Sequence, residues 1–354
     1  MKNVLIKVTA TLFVFLLSGA ISNIYSEEWI EKVVEEKKIE INENALLVVD
    51  HEFGNVQCKN WDQNAISIKV TVRVKTENAG KAEKIMSNII VDVHGNKDKV
   101  VAMCDLNQKR LGDKNVKVTI DFDIFMPETI SLEMSHKFGN AYIESVSGPA
   151  SISSEYGSIE IGSLSNVVND VELSFGEAEI KNMTSGDLEI SYSRLTLQKA
   201  IELSVECEFS DITVDNVENI SLEIEGGNAN IGNVKNLEAE TSFTNLEIIN
   251  IVESLNAETN YGNLSVKNVD KSFTSITIAN EFGAVDVNID KESNYKLHAE
   301  GEYCSFSYPN KLADISYKKE SHFSTLIKGN VGNGIPKSAV SINSEYGAVT
   351  ITAK

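Results

Sequence analysis

Proline is scarce in this sequence, with four residues in 354, so little interrupts backbone hydrogen bonding and long stretches are free to form strands. Positive charge is also short: 32 Lys and Arg stand against 52 Asp and Glu, for a formal charge of −20. That balance argues against nucleic-acid binding through phosphate neutralisation, which needs clustered cations. It suits a molecule that attracts cations or a basic partner. Beyond the first 26 residues there is no second apolar run to serve as a membrane anchor. Nucleophile elbows, phosphate-cradling loops and paired metal-ligand spacings are absent as well. The Gly-rich run Gly329-Asn330-Val331-Gly332-Asn333-Gly334 lacks the strand-to-helix setting of a phosphate site and reads as a loop. Five histidines (His51, His94, His136, His298, His322) show no ligand spacing. His51 and His136 both fall two residues before an aromatic, and all five are expected on the surface or lining strands.

Residues 1–26 have the form of a secretory signal. Lys2 and Lys7 form a basic start, and Val8 to Leu17 is an apolar stretch too short to span a bilayer comfortably. Cleavage after Ser22 or Ser26 fits the small residues there, which predicts an exported protein: periplasmic, cell-surface or secreted. Export invites a disulfide reading of the four cysteines. Cys58 and Cys207, however, occupy positions that the pattern described next reserves for apolar residues, so these two are expected buried and free. Cys104 and Cys304 are left open.

What the chain does have is a repeat. Aromatic-small pairs recur at Phe53-Gly54, Phe138-Gly139, Tyr156-Gly157, Phe175-Gly176, Tyr192-Ser193 and Phe209-Ser210. They continue as Gly226-Gly227 (the aromatic lost), Phe243-Thr244, Tyr261-Gly262, Phe282-Gly283, Tyr303-Cys304, Phe323-Ser324 and Tyr346-Gly347. From Phe138 to Tyr261 the steps are 18, 19, 17, 17, 17, 17 and 18 residues, a period typical of solenoids. Counting each aromatic as position one, positions four, six and nine are apolar, as in Ile212/Val214/Val217 and Leu264/Val266/Val269. Four and two residues before the next aromatic a second apolar pair alternates, as in Val205/Cys207 and Leu222/Ile224. Period-two alternation in such short segments means strands with one face buried. Strands repeated at a fixed length stack in parallel, so the expected fold is all-β, a right-handed parallel β-helix with repeats of about 17–21 residues. Thirteen rungs at about 4.8 Å would make a rod of roughly 60 Å.

Position two is Gly or Ser in most rungs, as expected of a corner that needs positive φ. Position eight is Asn at Asn182, Asn216, Asn233, Asn250 and Asn268. Asn tolerates a left-handed corner, and stacked amides can hydrogen-bond from rung to rung, so this column reads as structural. Around the regular repeat the expected organisation is the signal at 1–26, an N-terminal β-rich section with a first repeat and an excursion at 27–137, the regular solenoid at 138–289, and degenerate repeats forming a cap at 290–354. Within the excursion, Lys81 to Asn88 could form a short helix, and Ile89–Val93 with Val100–Leu106 a hairpin.

One column bears on function. Three residues before each corner stand Glu172, Glu189, Glu206, Glu223, Glu240 and Glu258, six rungs in succession. Alternation points them outward, about 4.8 Å apart along the stack, where like charges repel by about 1 kcal/mol per pair in water. Such a line is either a solvated stripe with splayed or Lys-compensated side chains, or an acidic surface for Ca²⁺ or a basic partner. No other cofactor or metal site is expected.

The segments Asp50-His51-Glu52-Phe53-Gly54-Asn55-Val56 with Trp61-Asp62, Met126-Pro127-Glu128-Thr129-Ile130-Ser131-Leu132, Lys137-Phe138-Gly139-Asn140 and Ser344-Glu345-Tyr346-Gly347-Ala348-Val349 together resemble a bacterial family of exported proteins labelled putative adhesins. The resemblance spans nearly the whole chain past the signal and rests on structural signatures. It implies a parallel β-helix outside the cytoplasm. The functional expectation is a non-catalytic, adhesin-like or scaffold protein presenting an extended surface to a protein or glycan of the cell envelope. The alternative is a polysaccharide lyase or hydrolase on the same fold, which would need converging carboxylates in one groove.

Overall fold

A computed structural model of the chain describes residues 28–106 and 117–354; the secretory reading of residues 1–26 lies outside them. The described chain is all-β, with one α-helix.

Five strands and the helix surround the first repeat. Strand β1 (Glu28–Glu40) leads into β2 (Leu46–Asn60), which carries the corner at Phe53. After it come β3 (Ala65–Thr76), α1 (Ala79–Met86), β4 (Ile89–Gly95), β5 (Lys99–Leu106) and β6 (Lys117–Met126). Asn78 caps α1, its side chain accepting from the Gly80 and Lys81 amides at 2.9 and 3.2 Å, an N-cap arrangement. The helix begins two residues before the stretch the sequence suggested, because Asn78 supplies the start. β5 and β6 lie parallel to the two halves of β2, while β1–β3, β3–β6 and β4–β5 pair antiparallel. The first rung is thus covered on its outer side, which keeps an edge from standing open to other chains.

The regular part comprises β7 (Ser131–Val146), β8 (Ala150–Glu155), β9 (Ser158–Leu164), β10 (Asn169–Ser174), β11 (Glu177–Ser191), β12 (Arg194–Asn260), β13 (Leu264–Val269), β14 (Ser275–Glu281) and β15 (Ala284–Ile289). These strands pair parallel, one repeat apart: Val171 lies opposite Ile152 and Leu188, and Ile180 opposite Ile161 and Leu197. Like residues therefore meet like residues. Ile212, Val214, Leu222, Ile224, Leu246 and Ile248 are at most 2% exposed, and burying each such side chain favours folding by about 1.5–3 kcal/mol.

The corners differ from expectation in one respect. The aromatic takes positive φ at every corner but Phe323, from 48° at Phe209 to 65° at Phe53, and of the residues in second place only Gly54 (155°) and Gly227 (103°) do so. A left-handed non-glycine residue costs about 1–2 kcal/mol. What offsets that cost is stacking: neighbouring corner rings lie 4.7–5.5 Å apart and nearly parallel, worth about 0.5–1.5 kcal/mol per pair. Glycine follows the aromatic for a steric reason. A Cβ on Gly157 would stand 2.0 Å from the Gly139 carbonyl oxygen. Where Ser replaces it, the hydroxyl works in the corner: Ser210 Oγ accepts from the Ser193 amide at 3.0 Å and donates to the Glu208 carbonyl at 2.8 Å.

Past β15 the spatial order leaves the sequence order. The chain runs through β16 (Tyr295–Glu302), β17 (Ser305–Ser307), β18 (Ala313–Glu320), β19 (Ser324–Val331), β20 (Ser338–Glu345) and β21 (Ala348–Ala353). The last rung, β20–β21, inserts between the two before it: β20 pairs parallel with both β14 and β16, and β21 with both β15 and β17. The ring stack follows the same order, Phe282 on Tyr346 at 4.7 Å and Tyr346 on Tyr303 at 5.1 Å. Antiparallel β18 and β19 then cover β16. Gly329 and Val331 of the Gly-rich run complete β19.

Candidate functional site

All six glutamates of the column are exposed. β10, β11 and β12 bring the first three into line, Glu172 opposite Glu189 and Glu189 opposite Glu206. Glu189, Glu206, Glu223 and Glu240 jointly line one open depression of about 450 Å³. The column ends where Glu258 pairs with Ala279 on one side and Glu172 with Ser153 on the other. Among the described residues none of the six makes an ion pair, while Lys137, Lys181, Lys235 and Lys267 pair with Glu155, Glu160, Glu253 and Glu247. Lysine compensation, one of the two forms of the solvated stripe, therefore does not occur on this face among the described residues.

The face is more acidic than the single column indicates. The outward positions five, three and one before each corner from Phe175 to Tyr261 hold Asp170, Asp187 and Glu238, then the six glutamates, then Glu208 and Glu225. The other seven of these eighteen positions are Ser or Asn, and none is basic. Glu208 and Glu225 join the four glutamates in the depression. The repeat alignment would have revealed them one column over, but they are only two in succession, flanked by Ser191 and Ser242, and so form no long run. Among the described residues no three His, Cys, Asp or Glu side chains converge as a metal site. Parallel strands hold these carboxylates in lines, and lines do not close around one ion.

The asparagine column lies on another face. Asn233 donates to Asn216 Oδ1 at 3.1 Å and Asn268 to Asn250 Oδ1 at 2.6 Å. Asn182 sits opposite Lys199, which interrupts the ladder. Two further ladders were not anticipated: Asn228 donates to Asp211 at 2.8 Å and Asn263 to Asn245 at 2.9 Å, and Asn236 donates to Asn219 at 2.9 Å.

His51 and His136 line β2 and β7, and they face inward. Both are fully buried, with Nδ1 atoms 3.0 Å apart, rings stacked at 5.0 Å, and His51 Nε2 on the Ile120 carbonyl at 2.6 Å. Among the described residues, His136 Nε2 and the Ser154 hydroxyl, register neighbours, have no hydrogen-bond partner. Burial holds the His51 imidazole down to about 4, against the opposing effect of its Ile120 hydrogen bond, and burial lowers His136 too. His94 and His298 are exposed beside Asp92 and Glu300. All four cysteines are free; burial pushes the Cys58, Cys104 and Cys207 thiols up to about 12, which leaves them unreactive at neutral pH.

No family model and no curated protein matches the chain. Solved structures do. A putative cell adhesion protein from Clostridium sporogenes is 12% identical, with 92% of this chain and 100% of that one covered and a TM-score of 0.21. A putative adhesin from Bacteroides fragilis is 12% identical over 92% and 98%, TM-score 0.32. One from Parabacteroides merdae is 12% identical over 71% and 95%, TM-score 0.33. Among the described residues no helix is long and apolar enough to cross a membrane.

Proposed function

We propose that this is an exported, non-catalytic, adhesin-like or scaffold protein. In this reading its rungs wind as a right-handed parallel β-helix and its acidic strand face meets a basic protein partner at the cell envelope. The observation that carries the reading is six successive rungs of outward glutamate with no basic residue at the outward positions beside them. Holding like charges in file costs stability, and a basic partner would relieve that cost while gaining association rate. Lines of carboxylates favour an extended cationic partner over a single Ca²⁺, which wants six to eight oxygens around one point.

The test is crosslinking of the protein in its own envelope, beside a chain carrying Glu189→Gln, Glu206→Gln, Glu223→Gln and Glu240→Gln. The crosslinked partner is expected to disappear in the variant and to weaken at high salt. A partner retained unchanged by the variant would move the binding face elsewhere. Depolymerisation of any polysaccharide by the purified protein would overturn the non-catalytic assignment.

A further inference from the structure

The stack of corner rings has one gap. It runs unbroken from Phe53 to Phe209 and resumes at Phe243, with Gly226 between them. Within the stack each ring has neighbours on both faces, so only its edge meets solvent. At the gap, one face of Phe243 lies open and Phe209 leans over Gly226, which is buried beneath it; the two rings, Phe209 and Phe243, are 56% and 64% exposed, whereas Tyr192 and Tyr261, next along on either side, are 52%. Phe209 already tilts toward the opening: its plane departs 20° from that of Tyr192, and its Cδ1 lies 2.9 Å from where a Gly226 Cβ would be. The two rungs place the Phe209 and Phe243 backbones about 9.6 Å apart. With Phe209 swung back parallel to Tyr192, that width seats one planar group at about the spacing the protein's own rings adopt.

Charge identifies the occupant. Glu208 and Glu225 directly precede Phe209 and Gly226, and both line the depression that reaches Phe243. Asp211 flanks the other side, held by Asn228. The basic residue nearest in that column, Arg194, is one rung away from Asp211. Ring faces are themselves negative, so both walls and the Glu208 and Glu225 flank favour a cation. A guanidinium is planar, stacks on aromatic faces and pairs with carboxylates through a fork of donors, whereas an ammonium does not stack.

We infer that the gap between Phe209 and Phe243 binds an arginine side chain of the basic partner, its guanidinium replacing the missing ring and its donors meeting Glu208 and Glu225. This rests on the acidic-face reading and gives that face an anchor.

The test is titration of the full chain with acetyl-Gly-Arg-Gly-Arg-Gly-amide and its lysine twin, followed by calorimetry and by NMR of the Phe209 and Phe243 rings. The arginine peptide should bind about tenfold tighter and shift both rings. Gly226→Phe, which restores the ring at a backbone φ of +78° close to that of the other corners, should remove that advantage. Should Gly226→Phe fail to fold, Phe209→Ala with Phe243→Ala should do the same. Equal binding of the two peptides, unchanged by Gly226→Phe but lost with Glu206→Gln and Glu240→Gln, overturns the anchor and leaves the acidic face standing. Binding of neither peptide overturns both. Tighter binding of neutral N-acetyltyrosinamide overturns the cationic occupant.

Discussion

The residue-scale features with most consequence are the buried imidazoles. His51 and His136 sit where other rungs place Leu173, Ile190 or Ile224, so a charge formed there would have no water and little compensation. Both rings are held below the ordinary value of 6.5, His51 to about 4, so the folded protein favours neutral rings. Their contribution is fully present above pH 6.5 and is lost as pH falls toward 4. Between pH 7.5 and pH 5 the protein should lose on the order of 2 kcal/mol of unfolding free energy from His51. A chain with His51→Leu and His136→Leu should lose less over the same range. Urea denaturation at the two pH values measures this; an equal loss in both chains would acquit the histidines. Sequence alone located this pair at one repeat position but not its burial, because position two before a corner tolerates Ser, Thr and Asn as well as Leu and Ile.

At the scale of elements, pairing follows the repeat until the last rung. β20 and β21 carry the same corner signature, Glu345-Tyr346-Gly347, as any other rung, so nothing local marks them as an insertion. Only the pairing with β14 and β16 reveals it. The consequence differs from that of a solenoid ending in sequence order, where losing the final repeat costs one interface. A chain ending at Lys337 would lose Val340, Ile342, Val349 and Ile351 from between two rungs and expose both facing edges. It should lose the cooperative melt of the C-terminal third and aggregate through those edges, as circular dichroism and size-exclusion chromatography would show. A monomeric truncation with an unchanged melt would refute the inserted position.

For the whole molecule, the −20 charge is not spread evenly. It is concentrated on one face of the middle rungs, while the neighbouring faces carry ion pairs and amide ladders. Screening should therefore stabilise the free protein. Raising NaCl from about 10 mM to 150 mM should raise the melting temperature, since the Debye length falls to about 8 Å. Glu206→Gln with Glu223→Gln should capture part of that gain at low salt. If millimolar Ca²⁺ raises the melting temperature no more than NaCl of matched ionic strength, the effect is screening; a larger rise would assign the face to the metal.

The sequence by itself determined the strands, their buried faces and the acidic column, because all three repeat at a fixed spacing along the chain. Ile212 and Val214 announce a strand, and Glu206 announces an outward carboxylate, through alternation alone. Tertiary structure decided what depends on neighbours distant in sequence: that the aromatic bears the positive φ because rings stack on it, that His51 meets His136 eighty-five residues away, and that the last rung lies inside the stack. It also decided that, among the described residues, no lysine pairs with the six glutamates of the column. Periodicity specifies which face a side chain takes, but only the assembled rungs specify what stands opposite it.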